Sequence, residues 1–447
     1  MKKSLILLFI FTIIFLVSCG TNDSGLEPTD SKPEENSYLL YESGEIFDLK
    51  GANVNSDPGY LEFSRKIQLF SAKLSVALYQ DSKKDENMAV SPLSIYMALA
   101  MAVGSGSGVA KDEVLAAIGV TEEEVLKYTK YIYAYLKNEK FRYDDEKGEK
   151  VLTSILDLNN SIWINEGVEL KDDGLKRLAN DFNADSFYAP FFSDNEKANA
   201  MLNNYVLDKT RGLINPKLEL ANEMYFALVN VLYLKDIWNG DDSKLSYTNK
   251  EYDFITYSGE VVKQALLKTE YIDGKAYETE SFSHFYVMTD AGYRLKFILP
   301  KDGYTVDEVF TVDTIMNVNN ITDYNRLDEE NGYSNLTRVM FPKFEASYKN
   351  DIDAVLKNTF GIRSFYNNGQ HMLGLTDENL RLERINHQAK LIVDEKGIEG
   401  AAVTVLETAP ESALDGNFYD FIVNRAFAYL LTDKDGNILF SGVVNKI

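Results

Sequence analysis

Residues 91–104, SPLSIYMALAMAVG, are apolar on every side of any helix they form. Ser91 can cap such a helix and Pro92 suits its first turn, so the spacing predicts a helix. A helix without a polar face has to be covered all round, which demands a large body with layers on both sides. The chain's 447 residues can supply one, and its 28 Tyr and 25 Phe can anchor the core. The stretch YFALVNVLYLKDIW (225–238) adds a second constraint, because its long apolar run suits a central strand covered on both faces.

Around these two segments the pattern changes along the chain. YLEFSRKIQLFSAKLSVALYQ (60–80) sets Phe63, Ile67, Phe70, Leu74 and Leu78 at helical spacing, and EVLAAIG and EEEVLKYTKYIYAYLKN continue helical to about residue 138. YRLKFILP, LTRVMFPKFEASY, AKLIVDEKG, FYDFIVNRAFAYLLTD and ILFSGVVN then read as strands bounded by Pro and Gly. Helices lead and strands follow. The expected class is α+β, one domain built on large sheets. GSGSG (104–108) lacks the Gly-Lys-Ser/Thr ending of a phosphate loop and the central Ser of a nucleophile elbow. Its expected work is to end the buried helix through left-handed glycine.

The first nineteen residues, MKKSLILLFIFTIIFLVSC, have the layout of a targeting segment, with Lys2 and Lys3 before a short apolar run. Leu16-Val17-Ser18-Cys19 resembles a bacterial lipoprotein cleavage box. That resemblance implies removal of residues 1–18, lipidation of Cys19 (the one cysteine in the sequence) and a membrane anchor on the cell envelope, facing outward. Residues 19–56 read as an acidic tether rich in Gly, Pro, Ser and Glu, with order beginning between Tyr38 and Asp57 and the folded domain spanning 57–447.

The net charge of −23 argues against nucleic acid as a partner. His284, His371 and His387 show no metal-binding spacing, so neither a metal nor another cofactor is expected, and nothing in the motifs marks an enzyme. What stands out instead is VDEKGIEGAAVTVLETAPESALDGN (393–417). With a period of two, Ile398, Gly400, Ala402, Thr404, Leu406 and Thr408 form an uncharged face. Glu399, Glu407 and Glu411 fall on the other face, with Ala401 and Val403, toward solvent. On pattern alone this is an edge strand, a surface loop, or a segment able to slide between strands.

A family resemblance selects among these. NMAVSPLSIYMALAMA, FALVNVLYLKDIW, FPKFE, VDEKGIEGAAVT and GVVN resemble, in order, separated signatures of the serpins. Ala426 and Ala428 in VNRAFAYLL depart from the usual residues of one signature. The resemblance implies a monomer with eight or nine helices and an exposed reactive-centre loop at about 397–417. It implies inhibition of a serine protease by suicide trapping: the loop is cut, an acyl-enzyme forms, and the loop inserts into the main sheet. A non-inhibitory binding protein of the same fold is the alternative.

Carried over residue by residue, Glu395, Gly397, Ile398, Gly400, Ala401, Ala402, Val403 and Thr404 match the hinge, where the family more often has Thr at Ile398 and Ala at Gly400 and Val403. Ser91, Ser94, Asn230 and His387 match the hydrogen-bonded shutter beneath the sheet, and Trp238 the breach where insertion starts. Family spacing puts the reactive bond at Glu411–Ser412, which implies a glutamate-preferring serine protease. A cut one to three bonds away, for example after Thr408, suits an elastase-like or subtilisin-like enzyme; a cysteine protease is a further target class. Taken singly, Glu411 is a solvated loop acid and Trp238 a core aromatic.

Overall fold

The computed structural model describes residues 38–43, 57–136, 138–144, 148–216, 224–239, 245–321, 324, 333–382, 385–399 and 416–447. In chain order the first half holds β1 (Leu39–Tyr41), α1 (Pro58–Asp81), β2 (Met88–Val90), α2 (Pro92–Ser105), α3 (Gly108–Ile118), α4 (Glu122–Leu136), β3 (Asn138–Asp144), β4 (Glu149–Asn165), α5 (Asp172–Phe182), β5 (Ala184–Ala189), α6 (Asn195–Lys209) and β6 (Phe226–Ile237). The second holds β7 (Ser246–Ile255), β8 (Val261–Asp273), β9 (Tyr277–Glu278), β10 (Phe282–Met288), β11 (Arg294–Pro300), α7 (Val306–Val309), α8 (Val312–Asn320), β12 (Ser334–Phe341), β13 (Phe344–Asp351), α9 (Asp353–Asn358), β14 (Asn386–Asp394), β15 (Gly397–Ile398), β16 (Gly416–Ile422), β17 (Phe427–Thr432) and β18 (Ile438–Val444). Nine α-helices and three sheets among the described residues make an α+β fold, as expected.

The main sheet runs β1-β5-β4-β6-β15-β14-β13, with β3 paired to β4. A six-stranded sheet (β2-β18-β17-β11-β10-β9) and a four-stranded sheet (β16-β12-β8-β7) complete the body. Residues 38–447 form one compact unit. β1 pairs antiparallel with β5, so residues 38–43, expected in the tether, belong to the sheet edge.

Helix α2 lies where its composition requires, under the main sheet with all but Ala98 of its residues buried. The Ser91 hydroxyl caps it by accepting the Ser94 amide at 3.4 Å. Its end differs from the sequence expectation in mechanism. The helix does stop at Ser105, but Gly106 is extended at φ −81°, not left-handed. Gly104 is needed for a different reason: a Cβ there would meet the Phe182 ring at 2.2 Å, so glycine lets α5 close onto α2.

Strand β6 has two sides of different character. Phe226, Leu232, Leu234 and Trp238 belong to the main core with α2, while Ala227 and Val231 pack toward Leu202 and Val206 of α6. This is the two-face burial that its long, mostly apolar run anticipates.

Candidate functional site

β14 ends in a tight reversal. The Asp394 carboxylate accepts the Lys396 amide at 2.8 Å and the Gly397 amide at 3.2 Å, which folds the chain back on itself. Gly397 then pairs with Asp394 on one side and Ile237 on the other, and Ile398 pairs with Val393 and Asp236. These two residues form β15, a wedge seated antiparallel between β6 and β14. Only glycine fits at its head, because a Cβ on Gly397 would lie 2.0 Å from the Asp236 carbonyl oxygen. Ile398 is fully buried in the main core, so its bulk is accommodated.

Trp238 sits at the same level with no exposed surface. Its indole N–H donates to the Asp394 carbonyl at 2.8 Å, tying the end of β6 to the end of β14. The turn after β10 supports it: the Ala291 amide donates to the Asp236 carboxylate at 2.9 Å, and Arg142 of β3 pairs with Asp290. Burial pushes the Asp236 carboxyl up to about 6. Glu395 faces outward, where Tyr247 donates to its carboxylate at 2.9 Å and the Leu245 amide to its carbonyl at 2.7 Å.

Below the wedge, no ladder joins β6 to β14 among the described residues. A cavity of about 90 Å³ occupies this seam, lined by Ser94, Ile95, Leu202, Val206, Asn230 and His387 among others. The four residues expected as a shutter converge there, in two halves. On one side the Ser94 hydroxyl donates to the Asn230 side-chain oxygen, and the Asn230 amide donates to Asn160. On the other, the Ser91 amide donates to Nε2 of His387 at 3.1 Å. That bond requires a bare Nε2, and burial holds the ring neutral by lowering its pKa to about 4. Asn160 completes the cluster through the Phe182 carbonyl at 2.6 Å. It was missed in the sequence, although an Asn set between Leu158 and Ile162 at a period of two is a signal for a buried polar partner.

One facing assignment is corrected. Glu399, expected in water, is 8% exposed. Its amide donates to the Ile392 carbonyl at 2.6 Å, its backbone turns left-handed at φ 79°, and its carboxylate accepts from the Tyr233 hydroxyl at 2.8 Å. Ile398 and Glu399 do take opposite faces, since Tyr233 lies on the opposite face of β6 from the core. That face, however, is covered here by protein. Gly400, Ala401, Ala402, Val403, Thr404, Glu411, Ser412 and Cys19 lie outside the described residues.

Comparison with known proteins agrees with this geometry. Alpha-1-antiproteinase of Rattus norvegicus is 25% identical over 78% of this chain and 82% of its own. Iripin-3 of Ixodes ricinus is 26% identical over 82% and 90%. The fold is shared with the thermophilic serpin tengpin in its native state (TM-score 0.68, 23% identity, 86% of this chain and 94% of tengpin). It is shared equally with human thyroxine-binding globulin complexed with thyroxine (TM-score 0.70, 21% identity, 87% and 99%). A family model described as serpin, serine protease inhibitor, matches residues 65–447. With that match over most of its length and a wedge at the head of the main sheet, the chain belongs to the serpin family.

Proposed function

We propose that this protein inhibits serine endopeptidases as a suicide substrate. The carrying observation is the wedge of Gly397 and Ile398 at the top of a seam across which no ladder joins β6 to β14 among the described residues. Each residue after Ile398 that enters the sheet pairs one residue earlier in both neighbours. On that register Thr404 arrives opposite Asn230 and His387, on the core face, and Thr408 reaches Phe226 at the start of β6. The segment 398–408 therefore matches the length of the seam.

In this reading the protease serine attacks the Glu411 carbonyl carbon. The bond to Ser412 breaks, the Ser412 amine leaves with a proton, and Glu411 is held as an ester. Insertion of the freed strand then carries the bound protease away from water-competent geometry before the ester is hydrolysed. A glutamate at the cut selects an enzyme whose pocket offers cationic or hydrogen-bonding groups. A cut after Thr408 selects an elastase-like or subtilisin-like enzyme, and a cysteine protease would be held as a thioester. The protein acts as a monomer, anchored through lipidated Cys19 on the outward face of the envelope.

The likeness to thyroxine-binding globulin favours one second reading, a serpin-fold binding protein that does not trap. Incubation with a glutamate-specific serine protease separates the two. Trapping gives a protease adduct that survives boiling in detergent, together with a released carboxy-terminal fragment beginning at Ser412 by mass spectrometry. A nicked protein without adduct supports the binding reading.

A further inference from the structure

Asp236 places a carboxyl group where the pattern of β6 asks for an apolar side chain. It shares the core-facing side of the strand with Leu234 and Trp238 and is 1% exposed. Its ladder partners are Ser154 of β4 and Ile398 of β15, neither of them charged. Its other neighbours come from the turn between β10 and β11. The Ala291 amide donates to one carboxylate oxygen at 2.9 Å. Beside it the Asp290 amide donates to the Ile237 carbonyl at 2.9 Å and the Asn239 amide to the Met288 carbonyl at 3.0 Å. The second carboxylate oxygen is buried with no donor among the described residues, and the Ser154 hydroxyl across the ladder is likewise unpartnered. Burial opposes ionisation most and Asp290 adds to it; the Thr289 hydroxyl, the Ala291 amide and the Ser154 hydroxyl offset only part. Tyr293 is the other titratable group in the turn, and Arg142 and Lys140 of β3 are engaged by the Asp290 carboxylate and carbonyl. A carboxylate so placed leaves an acceptor unmet in the core, whereas a carboxylic acid has a proton to donate.

We propose that Asp236 makes the joint between the main sheet and the six-stranded sheet respond to acid. As a neutral acid it holds the head of β6 against the turn at 289–292, and once ionised it loosens that contact. The bridge between Trp238 and Thr289 belongs to the same joint. Burial fixes the direction. An aspartate in water loses its proton near 3.8, and Asp236 in the closed joint does so at about 6. Between those values the opened joint sheds a proton that the closed joint keeps, so opening becomes easier as pH rises and levels off above 6. The gain is about tenfold per pH unit, about a hundredfold in all. The joint needs neither a cut nor a protease, and it stands or falls apart from the trapping reading.

Hydrogen exchange of the Asn239, Asp290 and Ala291 amides in the uncleaved full chain tests it. Asp236→Asn keeps an acceptor for the Ala291 amide and stays neutral at every pH. Comparison with wild type at each pH cancels intrinsic exchange rates and the titration of Asp433 and His387, which both proteins share. The wild-type rate relative to the variant should rise about a hundredfold from pH 4 to pH 7. A rise of less than tenfold overturns the joint. If Asp236→Asn does not fold, the emission of Trp238 in a Trp163→Phe background gives the reading with Asp236 in place. A transition centred near pH 6 supports the joint, and unchanged emission from pH 5 to pH 7 overturns it.

Discussion

His387 holds its place as a neutral ring, and that makes acid its enemy. In the unfolded chain a histidine takes up a proton near pH 6.5; in the fold burial lowers this to about 4. Between those values the unfolded state binds more protons, so the stability contributed by His387 falls as pH drops, by about 1.4 kcal/mol per pH unit, and levels off below 4. His387→Gln keeps an acceptor for the Ser91 amide without titrating, and the buried carboxylates, whose pKa values are raised, are common to both proteins. The difference in unfolding free energy between wild type and variant should therefore fall by about 3 kcal/mol from pH 7 to pH 4; a flat difference would show that His387 is solvated. At this scale the sequence was informative where type and neighbours agree: Ser91 beside Pro92, or Gly397 after an Asp-led turn. It was not where a side chain's cover comes from a distant segment. Glu399 looked solvent-facing because nothing near it in sequence announces Tyr233 of β6.

Among elements, the register of β15 makes a sharper claim than any motif does. Continued in the proposed insertion, it would bring Thr404 to the core side of the seam, between Asn230 and His387, where a guanidinium would be buried without a carboxylate. Thr404→Arg should leave the uncleaved melting temperature unchanged and turn the protein into a substrate that is cut without adduct. Retained trapping would mean that the strand enters in a different register. The elements easiest to read were those with one dominant constraint, such as all-round apolar α2 and the doubly covered β6. The hairpins β3–β4 and β7–β8 were not read as strands, and the reason is physical. Most of β7 and of β3's described side chains are exposed or half-buried at sheet margins, so their pattern is set by pairing partners and water more than by a core. β1 was similarly hidden, three residues whose strand character comes from the edge of β5.

For the molecule as a whole, the proposed insertion would extend the two-residue wedge of Gly397 and Ile398 down the main sheet. A strand running to Thr408 would pair with the edges of β6 and β14 that have no ladder partner below β15 among the described residues. Cleavage by a protease within residues 408–412 should then raise the melting temperature by about 10 °C or more, since several kcal/mol are needed for such a shift in a chain this large. A cleaved form that melts no higher than the intact one would leave the seam without a role in trapping. The outermost strand has a mechanical consequence. Leu39–Tyr41 hang on β5, on the same side of the seam as β4 and β6, so a pull reaching Tyr38 would enter the molecule through that half of the sheet and through Lys197 of α6, which donates to the Tyr38 hydroxyl.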